Sequence, residues 1–300
     1  MKKALREPIA IIGMGCRYPG APDLASFWRI LHNAEDALSV PSGRRFSRPV
    51  SGGLGNLPSA GIGGLLQDVD CFDFEFFGMS PKEASCLDPQ QRLLLEVAWE
   101  AFEDAGFTKE KVSGARAGVF VGIWAGDFEN TFYASSAGLD VHLITGVSRF
   151  PGPNRISYAL DLRGPSMSVD TACSSSLVAV HLACQSIWSG ESEFALAGGV
   201  NAILRPEITE GFIRANMLSP DRRCKFGDVS ANGFVRSEGA GVILLKPLAK
   251  AQSDGDPIYA VIRGSAVNTD GQSNGMLLHP SREGQERLIR EAQDAACVTA

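Results

Sequence analysis

The segment VDTACSSSLVAVHLACQSI, residues 169–187, contains the transition on which the fold depends. Extended-type residues come first and apolar residues at helical spacing follow, which predicts a strand over Ser166–Asp170 and a helix over Thr171–Trp188. Cys173 then lies where a strand gives way to a helix, among small residues that leave room for a substrate. Unpaired N–H groups and the helix dipole stabilise a thiolate at such a position, so a nucleophilic role is one of two interpretations that position and composition leave open. The alternative is a buried structural cysteine, which is our interpretation of Cys184 in the middle of the helix.

Apolar patterns elsewhere alternate between strand and helix types. The predicted strands are Ile9–Gly13, Ala117–Ile123, Phe194–Ala202, GVILLKPL and YAVIRGSAVN, and the predicted helices are Asp23–Asp36, Pro89–Ala105 and Ser281–Ala296. Asp88 is expected to cap the second of these helices, with Gln91 completing a capping box. The alternation predicts a mostly parallel, covered α/β sheet with Cys173 near its centre. The similar stretches IAIIGMG and YAVIRGS suggest the openings of two related halves.

Composition excludes several classes of function. The 300 residues are 44% hydrophobic with a net charge of −6, and no basic run indicates a nucleic-acid partner. The longest apolar stretch, near Ala117–Gly126, is too short and glycine-rich to span a membrane. Glu7 and Pro8 interrupt the N-terminal apolar run, which therefore predicts a buried strand and not an export signal. Seven cysteines without a CxxC pair predict reduced thiols in a cytoplasmic protein and no metal site.

Two further motifs give no cofactor site. Gly13-Met14-Gly15 lacks the third glycine of a dinucleotide fingerprint, since Tyr18 occupies that position. The glycine-rich stretch GGLGNLPSAGIGG has no GK[ST] and therefore does not predict a phosphate loop.

The sequence offers no obvious base for Cys173 among its four histidines, which are His32, His142, His181 and His279. His181 shares the predicted helix but lies eight residues further on, about 12 Å along the helix axis and out of reach of the sulfur. The sequence therefore predicts a nucleophile whose partner is not apparent.

Six stretches together carry a resemblance to a known family. They are EPIAIIGMGCRYPG, FDFEFFGMSPKEASCLDPQQRLLLEVAWEAFEDAG, NRISYALDLRGPSMSVDTACSSSL, FALAGGVN, MLSPDRRCK and VIRGSAVNTDGQSNG. In this order they resemble the β-ketoacyl synthase (ketosynthase) domains of modular type I polyketide synthases, over Glu7–Ala296.

The resemblance implies a thiolase-like α-β-α-β-α sandwich. Residues 7–257 would form its nucleophile-bearing N-terminal half and residues 258–300 the beginning of its C-terminal half. Cys173 would accept an acyl chain from an acyl carrier protein, and decarboxylation of a malonyl-type extender would then give the carbanion that displaces the acyl group. The backbone N–H of Cys173 would supply half of an oxyanion hole. The resemblance also implies a homodimer and a neighbouring acyltransferase domain. The domain would bind no cofactor of its own, because its substrates travel on the phosphopantetheine of the carrier.

Several departures from the family pattern limit these expectations. The family's two catalytic histidines, in HGTGT-type and NIGH-type stretches, its lysine and its second oxyanion segment do not occur in these residues. None of the four histidines lies in a stretch that matches the family's catalytic motifs. These 300 residues alone are therefore expected not to perform condensation. A non-catalytic fragment that dimerises or binds carrier protein is the alternative, whereas a thiol hydrolase has no supporting motif. Arg222 replaces the family's usual glycine, and Gly227 is predicted to widen a loop near the active-site entrance.

Overall fold

The computed structural model describes residues 6–40, 63–134, 141–272 and 279–298. Its strands are β1 (Ile9–Arg17), β2 (Ala117–Ile123), β3 (Ser166–Val169), β4 (Phe194–Asn201), β5 (Gly239–Pro247) and β6 (Ala260–Ile262). Its helices are α1 (Leu24–Asn33), α2 (Pro81–Cys86), α3 (Pro89–Asp104), α4 (Lys109–Val112), α5 (Asp127–Ala134), α6 (Val141–Val147), α7 (Pro151–Leu160), α8 (Ser175–Trp188), α9 (Glu207–Arg214), α10 (Leu248–Asp254) and α11 (Arg282–Ala296).

The strands form one mixed sheet in the order β3-β2-β4-β5-β1-β6. β2 runs parallel to both β3 and β4, whereas β4–β5, β5–β1 and β1–β6 are antiparallel pairs. The prediction of a mostly parallel sheet was therefore wrong. Alternating patterns imply a crossover helix between strands, but β5 starts beside the end of β4, with Asn201 opposite Gly239. The eight-residue helix α9 does not carry the chain back along the sheet.

Helices cover both faces of the sheet. α3 and α7 share one apolar core with residues of β1, β2, β4 and β5, and α8 packs against the opposite face. The predicted buried stripe of α3 is confirmed, since each member is at most 4% exposed: Leu94, Val97, Ala98, Ala101 and Ala105. The segment predicted to open a second half supplies β6, which pairs with β1 in this sheet. The domain boundary at residue 257 stays a prediction.

Two glycines of β1 have a packing role that accounts for the short motif Gly13-Met14-Gly15. A Cβ atom on Gly13 would lie 2.3 Å from the carbonyl oxygen of Ala101, and one on Gly15 would lie 2.3 Å from that of Val97. Both contacts are shorter than atoms tolerate. The motif therefore serves the close packing of α3 on β1.

The N-terminus of α3 contains a buried carboxylate. Asp88 is 3% exposed, and its side chain accepts a hydrogen bond from the backbone N–H of Gln90, which confirms it as the cap. The predicted capping box is not formed, because the Gln91 side chain donates instead to the carbonyl oxygens of Thr145 and Gly146, in the last turn of α6, and of Ser148 just after it. Burial, with a smaller contribution from the charge of Asp127, raises the pKa of Asp88 to about 6.

We expect Asp88→Asn to flatten the dependence of stability on pH. The folded protein binds more protons than the unfolded chain between pH 3.8 and about 6, so its free energy of unfolding falls as pH rises through that window. The contribution lost is at most about 3 kcal/mol, and asparagine, which does not titrate, keeps the cap acceptor. Urea unfolding between pH 4 and pH 7 measures the difference from wild type.

Asp161→Asn is the matched control. Hydrogen bonds from Ser113 and Arg163 lower the pKa of Asp161 in the folded protein. Its contribution to the free energy of unfolding is therefore present above pH 3.8, the pKa in the unfolded chain, and is lost as pH falls below that value. Because this window lies below pH 3.8, Asp161→Asn should leave the slope between pH 4 and pH 7 nearly unchanged, whereas Asp88→Asn should change it. An identical pH dependence in wild type and Asp88→Asn would contradict the prediction.

Candidate active site

Cys173 lies at the end of the sheet where the parallel strands β2, β3 and β4 terminate. β3 ends at Val169, Ala172–Ser174 form a single 3₁₀ turn, and α8 begins at Ser175. The predicted change from strand to helix at Cys173 is thus confirmed, with a turn inserted. Its predicted place near the centre of the sheet was wrong, because β3 has β2 as its neighbour and forms the edge in the described part of the chain. The Cys173 residue is exposed.

Serine hydroxyls hold the turn around Cys173. The Ser175 Oγ donates to the carbonyl oxygen of Ala172 at 2.6 Å and accepts the backbone N–H of Thr171 at 2.9 Å. The Ser174 Oγ lies 2.9 Å from both the carbonyl and the hydroxyl oxygen of Thr171. These two serines therefore fix the backbone on either side of the thiol.

The residue before the thiol has an unusual backbone conformation. Ala172 has a φ of 53°, in the left-handed region. An L-residue adopts it at a cost of about 1 kcal/mol or more. The strain lies directly beside the candidate nucleophile, where its effect is to set the direction in which Cys173 leaves the strand.

A pair of glycines lets α8 approach the sheet closely. Gly122 of β2 and Gly199 of β4 are opposite one another in the parallel register. A Cβ atom on Gly122 would lie 2.8 Å from Cβ of Ser175, and one on Gly199 would lie 3.0 Å from Cβ of Ser176. The first turn of α8 thus packs directly against the backbone of β2 and β4 at these two glycines. This explains why small serines follow Cys173.

We expect Gly122→Ala to slow the reaction of Cys173 with iodoacetamide. The new methyl group would be 2.9 Å from the backbone N of Ser176, so the helix start must move away from the sheet. Shifts of about 1 Å at a reacting group reduce rates by up to roughly 10²-fold. Peptide mapping by mass spectrometry measures the rate at Cys173. Gly211→Ala in α9 is the control, because nothing lies within 4 Å of its new methyl group. A loss of rate as large in the control would disprove the explanation.

Two buried polar side chains fix the loops at this end of the sheet. Gln90 donates to the carbonyl oxygen of Ala125 at 2.9 Å and accepts from the backbone N–H of Ala202 at 3.4 Å. Asp127 accepts the backbone N–H groups of Leu204 and Arg205, each at 3.0 Å, and burial raises its pKa. Sequence reasoning missed these roles, because the partners lie far apart along the chain.

The other cysteine on α8 fits its structural interpretation. Cys184 is fully buried, and desolvation raises the pKa of its thiol to about 12. It packs in the apolar core between α8 and the sheet. A thiol in this environment is inert at neutral pH.

Two of the histidines have partners other than Cys173. His181 Nδ1 lies 2.8 Å from the hydroxyl of Ser265, and its Nε2 lies 3.3 Å from Nε2 of Gln185. Burial lowers the pKa of His181. His32 stacks on Trp28 with ring centroids 6.3 Å apart. His142 lies in α6, and His279 lies just before α11.

Neither a metal site nor a membrane span is found in the described ranges. No group of three or more histidine, cysteine, aspartate or glutamate side chains there is arranged to hold a metal ion. None of the helices within those ranges combines the length and apolar character that crossing a bilayer requires.

Solved structures share this architecture. A ketosynthase from module 6 of the bacillaene synthase of Bacillus subtilis 168 aligns with a TM-score of 0.85 at 37% identity, covering 97% of this chain and 49% of that one. The oxazolomycin ketosynthase domain of Streptomyces albus JA3453 aligns with a TM-score of 0.87 at 38% identity, covering 98% and 51%. The mixed sheet with helices on both faces is that of a thiolase-like α/β protein.

Sequence comparisons identify the family. Residues 6–251 match the model of the β-ketoacyl synthase N-terminal domain, so the chain belongs to the β-ketoacyl synthase family. It is 47% identical over 295 residues to one protein of the phenolphthiocerol/phthiocerol polyketide synthase of Mycobacterium tuberculosis, covering 96% of this chain and 19% of that protein. Identity to a second protein of the same synthase is 46%, with 98% and 16% covered. The chain thus spans about half of the solved ketosynthases and under a fifth of these curated relatives.

Proposed function

We propose that this chain is the nucleophile-bearing part of a polyketide ketosynthase. The observation that carries the proposal is an exposed cysteine in the turn before α8, whose start rests on Gly122 and Gly199, in a member of the β-ketoacyl synthase family. The N-terminus of α8 presents backbone N–H groups and the positive end of the helix dipole toward that turn. Both features favour the negative charge that develops on an oxygen when the sulfur attacks a thioester carbonyl.

The first step of the proposed reaction is acyl transfer. The Cys173 thiol gives up its proton, and its sulfur attacks the thioester carbonyl of an acyl group attached to the phosphopantetheine of an acyl carrier protein. A bond forms between the Cys173 sulfur and the carbonyl carbon, while the bond from that carbon to the pantetheine sulfur breaks. The pantetheine thiolate leaves and takes up a proton. Backbone N–H groups near Cys173 stabilise the oxyanion that forms on the way.

The second step is decarboxylative condensation. A malonyl-type extender on a carrier loses carbon dioxide, and the resulting carbanion attacks the thioester carbonyl on Cys173. A carbon–carbon bond forms, the carbon–sulfur bond breaks, and Cys173 is released as a thiolate. By family resemblance, histidines stabilise the carbanion, and none of the four histidines in these 300 residues lies in one of the family's catalytic motifs.

The proposal includes partners and a setting. An acyl carrier protein delivers both substrates, and an acyltransferase domain of the same synthase loads the extender. The support is that the relatives are polyketide synthase proteins of which this chain covers under a fifth, which leaves room in them for further domains. The ketosynthase works as a homodimer in the cytoplasm and needs no cofactor of its own. An odd number of cysteines without a CxxC pair is the sequence feature that supports a reducing compartment.

The test is acyl loading followed by mass spectrometry. The protein is incubated with an acyl-carrier thioester, and the peptide that contains Cys173 is examined for the added acyl mass. Acylation confined to that peptide would support the proposal. Absence of acylation under conditions that load a solved ketosynthase relative would favour the alternative, a fragment that only dimerises or binds carrier protein.

A further inference from the structure

One ion pair connects the nucleophile turn to the neighbouring strand. Arg149, in the loop between α6 and α7, donates from Nη1 to Oδ2 of Asp170 at 3.2 Å and to the carbonyl oxygen of Trp124 at 2.9 Å. Trp124 directly follows β2, and Asp170 directly follows β3. The guanidinium therefore bridges the ends of both parallel strands.

The carboxylate of this pair also holds the strained residue beside the thiol. Oδ1 of Asp170 accepts a hydrogen bond from the backbone N–H of Ala172 at 3.2 Å. The bond spans two residues, as in an Asx turn, and it favours the turn that contains the left-handed Ala172. The Ser168 hydroxyl donates to the carbonyl oxygen of Arg149 at 2.8 Å, so the loop is attached to β3 at a second point.

The ion pair between Arg149 and Asp170 is expected to act on the nearby turn and to contribute little to the stability of the whole fold. The side chains of Arg149 and Asp170 are each 45% exposed, and ion pairs with such exposure contribute little to global stability. Asp170 nevertheless lies only three residues before Cys173 in the chain. Without a counter-ion its carboxylate would add an unbalanced negative charge to the segment that leads into the turn, and the guanidinium offsets that charge.

We propose that Arg149 and Asp170 are positioning residues that set the conformation and the electrostatic environment of the Cys173 turn. Asp170 fixes Ala172, and hence the direction of Cys173, through the amide hydrogen bond. Arg149 holds that carboxylate against the end of β2 and balances its charge. The inference deepens the proposed function, on which it rests for the identity of the nucleophile.

Reaction with iodoacetamide tests the pair without requiring acyl transfer. In this reaction the Cys173 thiolate displaces iodide and forms a carbon–sulfur bond, and peptide mapping gives the rate at Cys173 alone. We expect Arg149→Ala to lower this rate about tenfold, and Arg149→Lys, which keeps the charge, to restore it to within about threefold of wild type. Arg163→Ala, which breaks another exposed ion pair with Asp161, is the matched control and should leave the rate unchanged.

A double-mutant cycle separates this role from simple loss of structure. Asp170→Asn keeps an oxygen for the Ala172 amide but removes the charge that Arg149 balances, so we expect it to react within about threefold of wild type. Adding Arg149→Ala to Asp170→Asn should then have little further effect. Equal rates in wild type and Arg149→Ala, or the same tenfold loss in both backgrounds, would overturn the proposal.

Two further results keep the test decisive. If thermal melting shows that Arg149→Ala does not fold, Arg149→Gln replaces it, because glutamine retains a donor for Trp124 without the charge and should also react about tenfold more slowly. Acyl loading from a carrier thioester is measured in parallel. Wild-type protein that is alkylated at Cys173 but never acylated would disprove the proposed function, while the rate differences among the variants would still decide the role of Arg149.

Discussion

Cys173→Ala is expected to abolish acyl loading, lowering it by at least about 10³-fold. The methyl side chain cannot form a thioester, and neither the helix N-terminus nor the serines of the turn can replace the sulfur. The Ser174 and Ser175 hydroxyls are already engaged with Thr171 and Ala172. Intact-protein mass spectrometry after incubation with an acyl-carrier thioester measures the loss.

Two companion variants make this result specific. Cys184→Ala removes a thiol that is fully buried eleven residues further along the same helix, and it should load at the wild-type rate. Cys173→Ser keeps the size and position of the side chain but supplies a poorer nucleophile, so it should load far more slowly than wild type. Persistent loading of Cys173→Ala on another cysteine, such as Cys224, would show that the helix start does not select the reactive thiol.

Local patterns were sufficient to predict the elements that support the site. The apolar spacing of α3 gave its buried stripe, since a helix repeats every 3.6 residues regardless of what it packs against. The change from strand to helix was equally visible around Cys173. The 3₁₀ turn at Ala172–Ser174 was not, because it depends on hydrogen bonds of Ser174 and Ser175 that compete with the regular helical pattern.

Strand order and direction could not be predicted from alternation alone. A pattern of strand and helix does not show whether the chain crosses the sheet or returns beside the strand it has just left. The segment between β4 and β5 returns, which makes the pair antiparallel. The placement of β3 at the edge also follows from pairing between distant segments, and no local pattern contains that information.

The polar contacts of the site were equally inaccessible from sequence. Arg149 and Asp170 are 21 residues apart, and Gln90 contacts Ala202 across 112 residues. Arginine and aspartate are common surface residues, so neither is conspicuous without its partner. By contrast, Arg222 was noted as a departure from the family's glycine, and its φ of 59° lies in the left-handed region that glycine adopts without strain. The effect of Gly227 on the entrance stays a prediction.

A polypeptide of residues 1–300 alone is expected to form no β-ketoacyl product from acyl- and malonyl-carrier proteins. His181 is held by Ser265 and Gln185, and His32 stacks on Trp28, so neither is directed at the thiol. The carbanion left by decarboxylation would then lack the histidines that the family uses. Absence of the second oxyanion donor by itself lowers rates by about 10²–10³-fold.

The surface of α8 leads to a second expectation for the same polypeptide. Leu177, one turn beyond Cys173, is 75% exposed, while Val178, Val180 and Leu182 pack against the core and stay only partly buried. Such apolar surface next to the site promotes association in water. Size-exclusion chromatography with light scattering should show oligomers or aggregates, and Leu177→Lys should reduce them.

The decisive assay supplies both carrier-bound substrates and detects the product by mass spectrometry. A ketosynthase of the length of the solved relatives serves as the positive control. Slow acylation of Cys173 without condensation is the expected outcome for residues 1–300, because loading needs the thiolate and the helix start but not the carbanion-stabilising groups. Turnover to a β-ketoacyl product would contradict the prediction and would mean that a histidine within these residues, such as His142 or His279, reaches the reacting atoms.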